Sequence, residues 1–403
     1  MAAVMEETHT DTILTEAQLE AFRARAAGYD ERNEFFHEDF EVLKETGYLT
    51  QNVPEELGGM GFSLAEVSQQ QRRLAYYAPA DALAVNMHLY WAGVAADLWY
   101  AGDKSLEWVL RESAAGEVFA AGHAESGTAE YPGYDKPLLY STTKAERVDG
   151  GYCFTGHKQF GTLSPVWTRF GLHGIDDSDP DNPKIVHGFL TRDTEGYRID
   201  ETWDVLGMRA TCSQDTVLDA AFVPDKHIAR RVPVGFGGAD QFVLAAFAWA
   251  LTGFGNVYCG MAKYALDRAI ESVKKKRVVT MQRSMAWHAE VQHSVAEMAI
   301  KLMAVEAMLD RTADDWSARV DHGPMWPARI LATKTYAVEN AWQIVDSAFE
   351  LAGGGAIFKS TGWERLLRDA RLGRIHPANG SLTREVVAKS YLGLDLDEEP
   401  RWG

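Results

Sequence analysis

Apolar residues recur at three- and four-residue intervals through LTEAQLEAFRARAAGYDERNEFFHEDFEVLKETG, a helical period that stops at Gly47. The turn-rich VPEELGGMGF follows, then a helical stretch from about Ser63 to Tyr76 and a third that starts near Ala80 and continues through NMHLYWAGVAADLWYAG. From about 117 to 232 the pattern changes. Short β-rich runs, YCFTGHKQF, KIVHGFL and TVLDAAFV, alternate with turn clusters such as DDSDPDNP, which predicts an antiparallel sheet. Beyond about 238 long helical periods return. Val291, Val295, Met298, Leu302, Val305 and Leu309 form one apolar stripe. Phe242 to Arg277 is nearly free of proline and rich in Ala and Gly, which lets helices approach closely. A third helix starts at Pro327 and ends at the glycines after Leu351, and a fourth runs from about Ser381 through VVAKSYL. The pattern predicts an α+β multidomain chain: an N-terminal helical domain (1–116), a central antiparallel β domain (117–232) and a C-terminal four-helix bundle (233–403).

Composition narrows the function more than the fold. The 403 residues carry 58 acidic and 40 basic side chains, a formal charge of -18 that repels phosphate backbones, so no nucleic-acid partner is expected. The three cysteines, Cys153, Cys212 and Cys259, are far apart and show no CxxC spacing, which suits a reducing compartment and argues against disulfides and zinc. The N-terminal segment lacks a basic and then apolar signal pattern, and no apolar run reaches the ~18 residues of a membrane span. A cytoplasmic protein without membrane attachment is expected.

Short motifs alone say little. GxSxG, HExxH, GxGxxG and Walker patterns do not occur. His88 lies in an apolar helical setting that suits a buried, hydrogen-bonded histidine. Lys274, Lys275, Lys276 and Arg277 close a helix, where cations favour the dipole. DDSDPDNP lacks the Gly and terminal Glu of an EF-hand loop, so no metal site is predicted.

Four segments taken together resemble one family. VPEELGGMGFS, GYCFTGHKQFGTLSPVWTR, WDVLGMRATCSQDTVLDAAFVP and ELAGGGAIFKSTGWERLLRDARLGRI are similar, in order and spacing, to signature stretches of the acyl-CoA dehydrogenase superfamily. The resemblance implies a flavin, FAD with FMN or reduced flavin as the alternative, lying between the β domain and the bundle. It implies that Phe160 and Thr162 pack against the ring, and that Ala124 in GHAES offers a backbone contact. Arg277, Glu350, Gly353 and Gly354 complete the implied cofactor-binding set. A homodimer or homotetramer is implied as well, together with a small-molecule or acyl-thioester substrate and a flavin reductase or electron-transfer flavoprotein as partner.

Three departures bear on the reaction. Dehydrogenases of this family need a carboxylate to take the substrate's α-proton. Here Pro377 stands at its commonest place, and the alternative place, in VLAAFAWALTG, holds no acid. ESGTAEYPGYDKP replaces the turn that meets the thioester. RVVTMQRS replaces the arginine motif that holds the flavin's diphosphate across a subunit interface, leaving Arg277 or Arg283 to substitute, and Glu350 occupies the place of a glutamine. Flavin monooxygenases of the same fold carry a histidine near position 376. His376 is therefore the catalytic candidate, with an imidazole pKa suited to neutral pH, and Asn379 is a nearby polar candidate. Three functions follow: a dehydrogenase-like flavoenzyme lacking the usual glutamate, a monooxygenase or oxidase using reduced flavin and oxygen, or a non-catalytic flavin- or acyl-binding protein.

Overall fold

The computed structural model describes residues 12–125, 140–235, 240–277 and 282–397. The N-terminal domain holds α1 (Glu16–Arg32), α2 (His37–Glu45), α3 (Leu64–Tyr77), α4 (Pro79–Tyr100) and α5 (Glu107–Ala114). The single period that precedes Gly47 is thus two helices. Asn33 separates them at φ 54°, a left-handed conformation that Asn tolerates better than most residues. Thr15 with Gln18, and Ser63 with Glu66, form reciprocal capping boxes that fix where α1 and α3 begin.

The middle domain is one sheet: β1 (Phe119–Gly122), β2 (Lys144–Val148), β3 (Gly151–Gly161), β4 (Arg169–Asp176), β5 (Lys184–Thr191), β6 (Tyr197–Asp200), β7 (Gln214–Pro224) and β8 (Ile228–Pro233). Its order is β6-β7-β3-β2-β4-β5-β8, with β1 beside β4. The long pairings are antiparallel, whereas β1 runs parallel to β4 and β2 touches β4 in parallel at Lys144–Ile175, so the sheet is mixed.

The C-terminal domain comprises α6 (Gln241–Lys275), α7 (Ala289–Ser317), α8 (Trp326–Ala352), α9 (Trp363–Leu372) and α10 (Gly380–Leu392). The four expected bundle helices are α6, α7, α8 and α10; α9 is an addition that carries the Arg368-Asp369 pair. In the stripe on α7, Val291, Met298, Leu302, Val305 and Leu309 are buried, and Val295 packs on the core from its edge. The small residues of α6 serve contacts inside the chain. A Cβ on Gly253 would stand 1.9 Å from Asn86 Oδ1, and one on Gly260 would stand 2.2 Å from the Arg72 carbonyl. Glycine at these places lets α6 sit directly on α4 and α3. By length and hydropathy α6 alone among the described helices is able to span a membrane, yet 78% of its apolar window is buried inside the protein.

Helix α4 lies under both neighbouring domains and is buried almost all round. His88 at its centre is a hydrogen-bonded core residue. Its Nε2 lies 2.9 Å from the Leu49 carbonyl, and its Nδ1 accepts the Phe119 N–H at 3.0 Å. Only the neutral Nε2–H tautomer satisfies both, and burial lowers its pKa to about 4. The unfolded chain therefore takes up a proton below about pH 6.5 that the folded chain refuses. Thermal unfolding followed by circular dichroism should show stability level above pH 6.5 and falling towards pH 5. His88 should contribute a slope approaching ~1.4 kcal/mol per pH unit, which His88→Gln removes. A wild-type midpoint independent of pH over that range would contradict this assignment.

Candidate functional site

The strand β3 changes character at its end. A first register shift against β7 falls between Phe154 and Gly156, and beyond it the Lys158 side chain points inward to a buried ion pair with Glu125. Burial pulls the Lys158 ammonium down to about 8. Burial also opposes ionisation of Glu125. Lys158 and the donors Ser141 Oγ (2.7 Å) and Thr142 N–H (2.7 Å) outweigh it and hold the carboxyl below its ordinary value. The β3–β7 register then shifts between Lys158 and Gly161, and Phe160 adopts φ 59°. This bulge breaks the alternation and turns the Phe160 ring outward. The residue is 49% exposed and meets Trp203 edge-on at 6.1 Å. Thr162, two residues on, is buried, and its hydroxyl lies 2.7 Å from Ser213 Oγ, which in turn contacts Thr211 Oγ1 at 2.8 Å. The Ala124 carbonyl accepts the Gln159 N–H at 2.9 Å. Ala124, Phe160 and Thr162 thus share one rigid strand end, and an aromatic face stands open beside it.

Arg277, Glu350, Gly353 and Gly354 gather at a different, exposed corner of the bundle. Lys276 Nζ donates to the Ala352 carbonyl there, and a Cβ on Gly353 would lie 3.8 Å from that Nζ. The basic run therefore closes α6 and ties it to the end of α8. Arg277 bridges through its backbone to Ser284. Among the described residues no hydrogen bond or ion pair joins this corner to Phe160, Thr162 or Ala124. The ESGTAEYPGYDKP turn lies outside the described residues beyond Glu125, as does most of the loop that follows Arg277.

His376 packs on the bundle helices α6 and α8, and among the described residues no hydrogen bond or ring contact joins it to Phe160, Thr162 or Ala124. Its ring stacks on Phe254 with centroids 4.6 Å apart and planes 13° from parallel. Its Nε2 shares a 2.8 Å hydrogen bond with the Tyr258 hydroxyl. Burial, aided by Lys334, lowers its pKa to about 3, so the imidazole is neutral at pH 7 and differs from the free side chain expected to titrate there. Lys334 Nζ donates to the carbonyls of His376 (2.7 Å) and Ala378 (3.1 Å) and fixes the turn that carries the ring. Asn379 is the N-cap of α10: its Oδ1 accepts the N–H groups of Ser381 and Leu382 at 3.0 and 2.9 Å.

The Arg368-Asp369 pair joins all three domains. Arg368 donates to Asp30 on α1 at 2.6 and 3.1 Å and to the Leu206 carbonyl at 2.8 Å. Asp369, buried and raised to about 6 chiefly by that burial, accepts the Met208 N–H at 2.5 Å. Gly207 is required between them, because a Cβ there would lie 2.7 Å from the Arg368 carbonyl. Two of the sequence stretches noted above, LGMRATCS and RLLRDA, are therefore two sides of one junction.

Comparison with known proteins agrees with this arrangement. The acyl-CoA dehydrogenase N-terminal domain pattern matches residues 11–106, and the C-terminal domain pattern matches residues 252–380. The chain belongs to the acyl-CoA dehydrogenase superfamily. It is 25% identical over 373 residues to a putative acyl-CoA dehydrogenase of Bacillus subtilis, covering 92% of this chain and 93% of that one. It is 27% identical over 395 residues to an amino sugar nitrososynthase of Streptomyces rubradiris, covering 95% and 90%. The structure of KijD3 with FMN and dTDP-3-amino-2,3,6-trideoxy-4-keto-3-methyl-D-glucose superposes with a TM-score of 0.81 at 26% identity, over 95% of this chain and 93% of that one.

Within this superfamily member the Arg368 junction sets where the β domain stands relative to the bundle. Arg368→Met leaves Asp30 without its partner and should cost about 2 kcal/mol. A lower thermal midpoint, with faster amide exchange at Met208, would show it. An unchanged midpoint and unchanged exchange would mean that the junction is held by packing alone.

Proposed function

We propose that this chain is a flavin-dependent monooxygenase built on the acyl-CoA dehydrogenase scaffold. The observation that carries the reading is His376, stacked on Phe254 and bonded to Tyr258, next to the place where a dehydrogenase of this fold keeps its carboxylate and this chain has Pro377. The acid facing Tyr258 from α9 is Asp369, and it is committed to the Met208 N–H. Relatives named as nitrososynthases, and the KijD3 structure with FMN and an amino sugar, support this reading; relatives named as acyl-CoA dehydrogenases are about as similar in sequence.

The residues present fit a flavin ring. Phe160 offers an open aromatic face on a rigid strand end, Thr162 a hydroxyl, and Ala124 backbone polar groups beside it. The phosphate end would fall to Arg277, Glu350, Gly353 and Gly354 of a second copy in a homodimer or homotetramer. Exposed Ile300 and Met303 on α7 and Tyr391 and Leu392 on α10 give the bundle an apolar exterior suited to such packing. With one lone arginine replacing a dedicated diphosphate motif, FMN or reduced flavin delivered by a reductase fits better than tightly held FAD.

When bound and reduced, the flavin supplies two electrons to dioxygen, so that one oxygen atom enters the substrate and the other leaves as water. The chain's own residues position and shield. His376, neutral at pH 7, keeps one ring nitrogen on Tyr258 and the other free to hydrogen-bond. Phe254 excludes water from one face of the imidazole. Lys334 locks the turn through two carbonyls, so the ring does not swing away.

Two measurements test this. Phe160→Ala should weaken FMN binding about tenfold, by loss of the ring contact, while the thermal midpoint stays put because the ring is half exposed. His376→Ala should change the rate at which reduced, FMN-loaded protein reacts with oxygen in stopped flow by about tenfold or more, with flavin content near wild type and stability lowered only by the lost stack and Tyr258 bond, about 1–3 kcal/mol. Equal loss of folding would demote His376 to a structural role. Anaerobic bleaching of the oxidised flavin by butyryl-CoA would instead establish the dehydrogenase reading.

A further inference from the structure

Three histidines that no sequence motif marks come together where the sheet meets α4 and α6. His173 on β4 and His187 on β5 are direct cross-strand partners, so their side chains leave the same face. His123 follows the end of β1, the strand parallel to β4, and its ring joins them. Ring centroids are 5.0 Å (His123–His173), 5.6 Å (His173–His187) and 6.0 Å (His123–His187) apart. Aromatic rings wall the cluster: Trp91 lies 5.4 Å from His123, and Phe242, in the first turn of α6, lies 5.1 Å from His187.

The nitrogens are poorly served. His123 Nδ1 has a long 3.4 Å contact with the Tyr90 hydroxyl. His123 Nε2, His173 Nδ1 and His187 Nδ1 are buried without a hydrogen-bond partner among the described residues. Buried polar atoms are rarely left so, and three together are not explained by packing, for which phenylalanine would serve better. Each of the three residues keeps part of its surface exposed, while these three nitrogens themselves face inward. No group of His, Cys, Asp and Glu among the described residues is arranged to hold a metal ion, which leaves hydrogen bonding as the role.

The surrounding charge selects the ligand. From β3 the Lys158 ammonium acts on all three rings, whereas Glu125 opposes it only at His123. Arg230 on β8 stands opposite His187 in register and is bonded to Asp103 at 3.0 Å and Asp240 at 3.4 Å. Asp240 also caps α6, and Tyr90 is the titratable group that α4 presents. The field at His173 and His187 is thus positive, and no carboxylate acts on either ring. We propose that His123, His173 and His187 form a subsite for an anionic group of the substrate, a carboxylate or a phosphate. His123 adjoins Ala124, whose carbonyl is bonded to the residue before Phe160, so the cluster and that strand end share one stretch of backbone. The inference rests on the monooxygenase reading for its choice of substrate site, but its test does not need turnover.

Burial and Lys158 keep all three rings neutral, His123 to about pH 3, so an anion that draws a proton onto the cluster binds with proton uptake. The probes are sulfate and acetate, neither of which titrates between pH 6 and 8. Isothermal calorimetry on the full chain at pH 7, in two buffers of different ionisation enthalpy, should give heats that depend on the buffer. Affinity should rise by up to about tenfold for each unit that the pH falls from 8 to 6. Tighter sulfate than acetate identifies a phosphate-bearing substrate, and the reverse identifies a carboxylate. His173→Phe combined with His187→Phe should abolish binding while keeping FMN affinity. No heat from either anion, heats independent of buffer, or binding retained in the double variant would overturn the proposal. The wild-type buffer dependence decides alone if the variant does not fold. Failure of the oxygen chemistry with a positive anion isotherm would sink the monooxygenase reading and leave the subsite standing.

Discussion

Arg368 and Asp369 stand side by side on α9 and reach opposite ways, the guanidinium to Asp30 of α1 and the Leu206 carbonyl, the carboxylate to the Met208 N–H. Each bond crosses a domain boundary. The segment they grip continues into Thr211 and Ser213, the hydroxyls that meet Thr162. On the other side, α9 leads directly to the turn that holds His376. The junction therefore ties the segment that meets Thr162 to the helix that leads into the His376 turn. A buried carboxylate pushed up to about 6 is a costly group to keep. Its presence makes sense where an apolar pair could not fix the orientation of two backbones.

Much of the fold was legible because it depends on local periodicity. The stripe on α7 repeats at helical spacing over five turns, and Ser63 with Glu66 announces α3 by a chemistry that acts within four residues. What escaped was what depends on one backbone dihedral or on distant pairing. Asn33 interrupts a continuous helical pattern by a single left-handed residue, and β1 joins its sheet in parallel through a partner fifty residues away. The glycines of α6 were visible as small residues. Only the packing shows that they seat Asn86 and the Arg72 carbonyl within the chain.

The site divides along the same line. Phe160 and Thr162 were readable because their strand carries a family pattern, but the reason Phe160 faces outward is a bulge with no hydrophobic signature. His376 was singled out by its neighbours in sequence; its pKa of about 3 comes chiefly from burial and then from Lys334, 42 residues away. The cluster of His123, His173 and His187 was the least legible part, since His173 and His187 sit on different strands and His123 follows the end of a third. The nearest signal was the hairpin itself. DDSDPDNP marks the turn between β4 and β5, and pairing outward from that turn sets His173 against His187.

The pattern of what is kept and what is changed bears on the reaction. Pro377 cannot accept a proton, and the residue before it is a stacked, hydrogen-bonded histidine whose turn is fastened by a buried lysine. Lys334 is held there with its ammonium pulled down to about 8 by burial, and among the described residues it donates to the His376 and Ala378 carbonyls. A neutral imidazole with a pKa of about 3 is a poor base for a carbon acid. As a fixed, uncharged hydrogen-bond partner it suits chemistry in which oxygen, and not an α-proton, is the group to be positioned. On the proposed reading, the chain keeps the strand end at Phe160 and the interdomain junction, and places a neutral imidazole where a dehydrogenase would need a base.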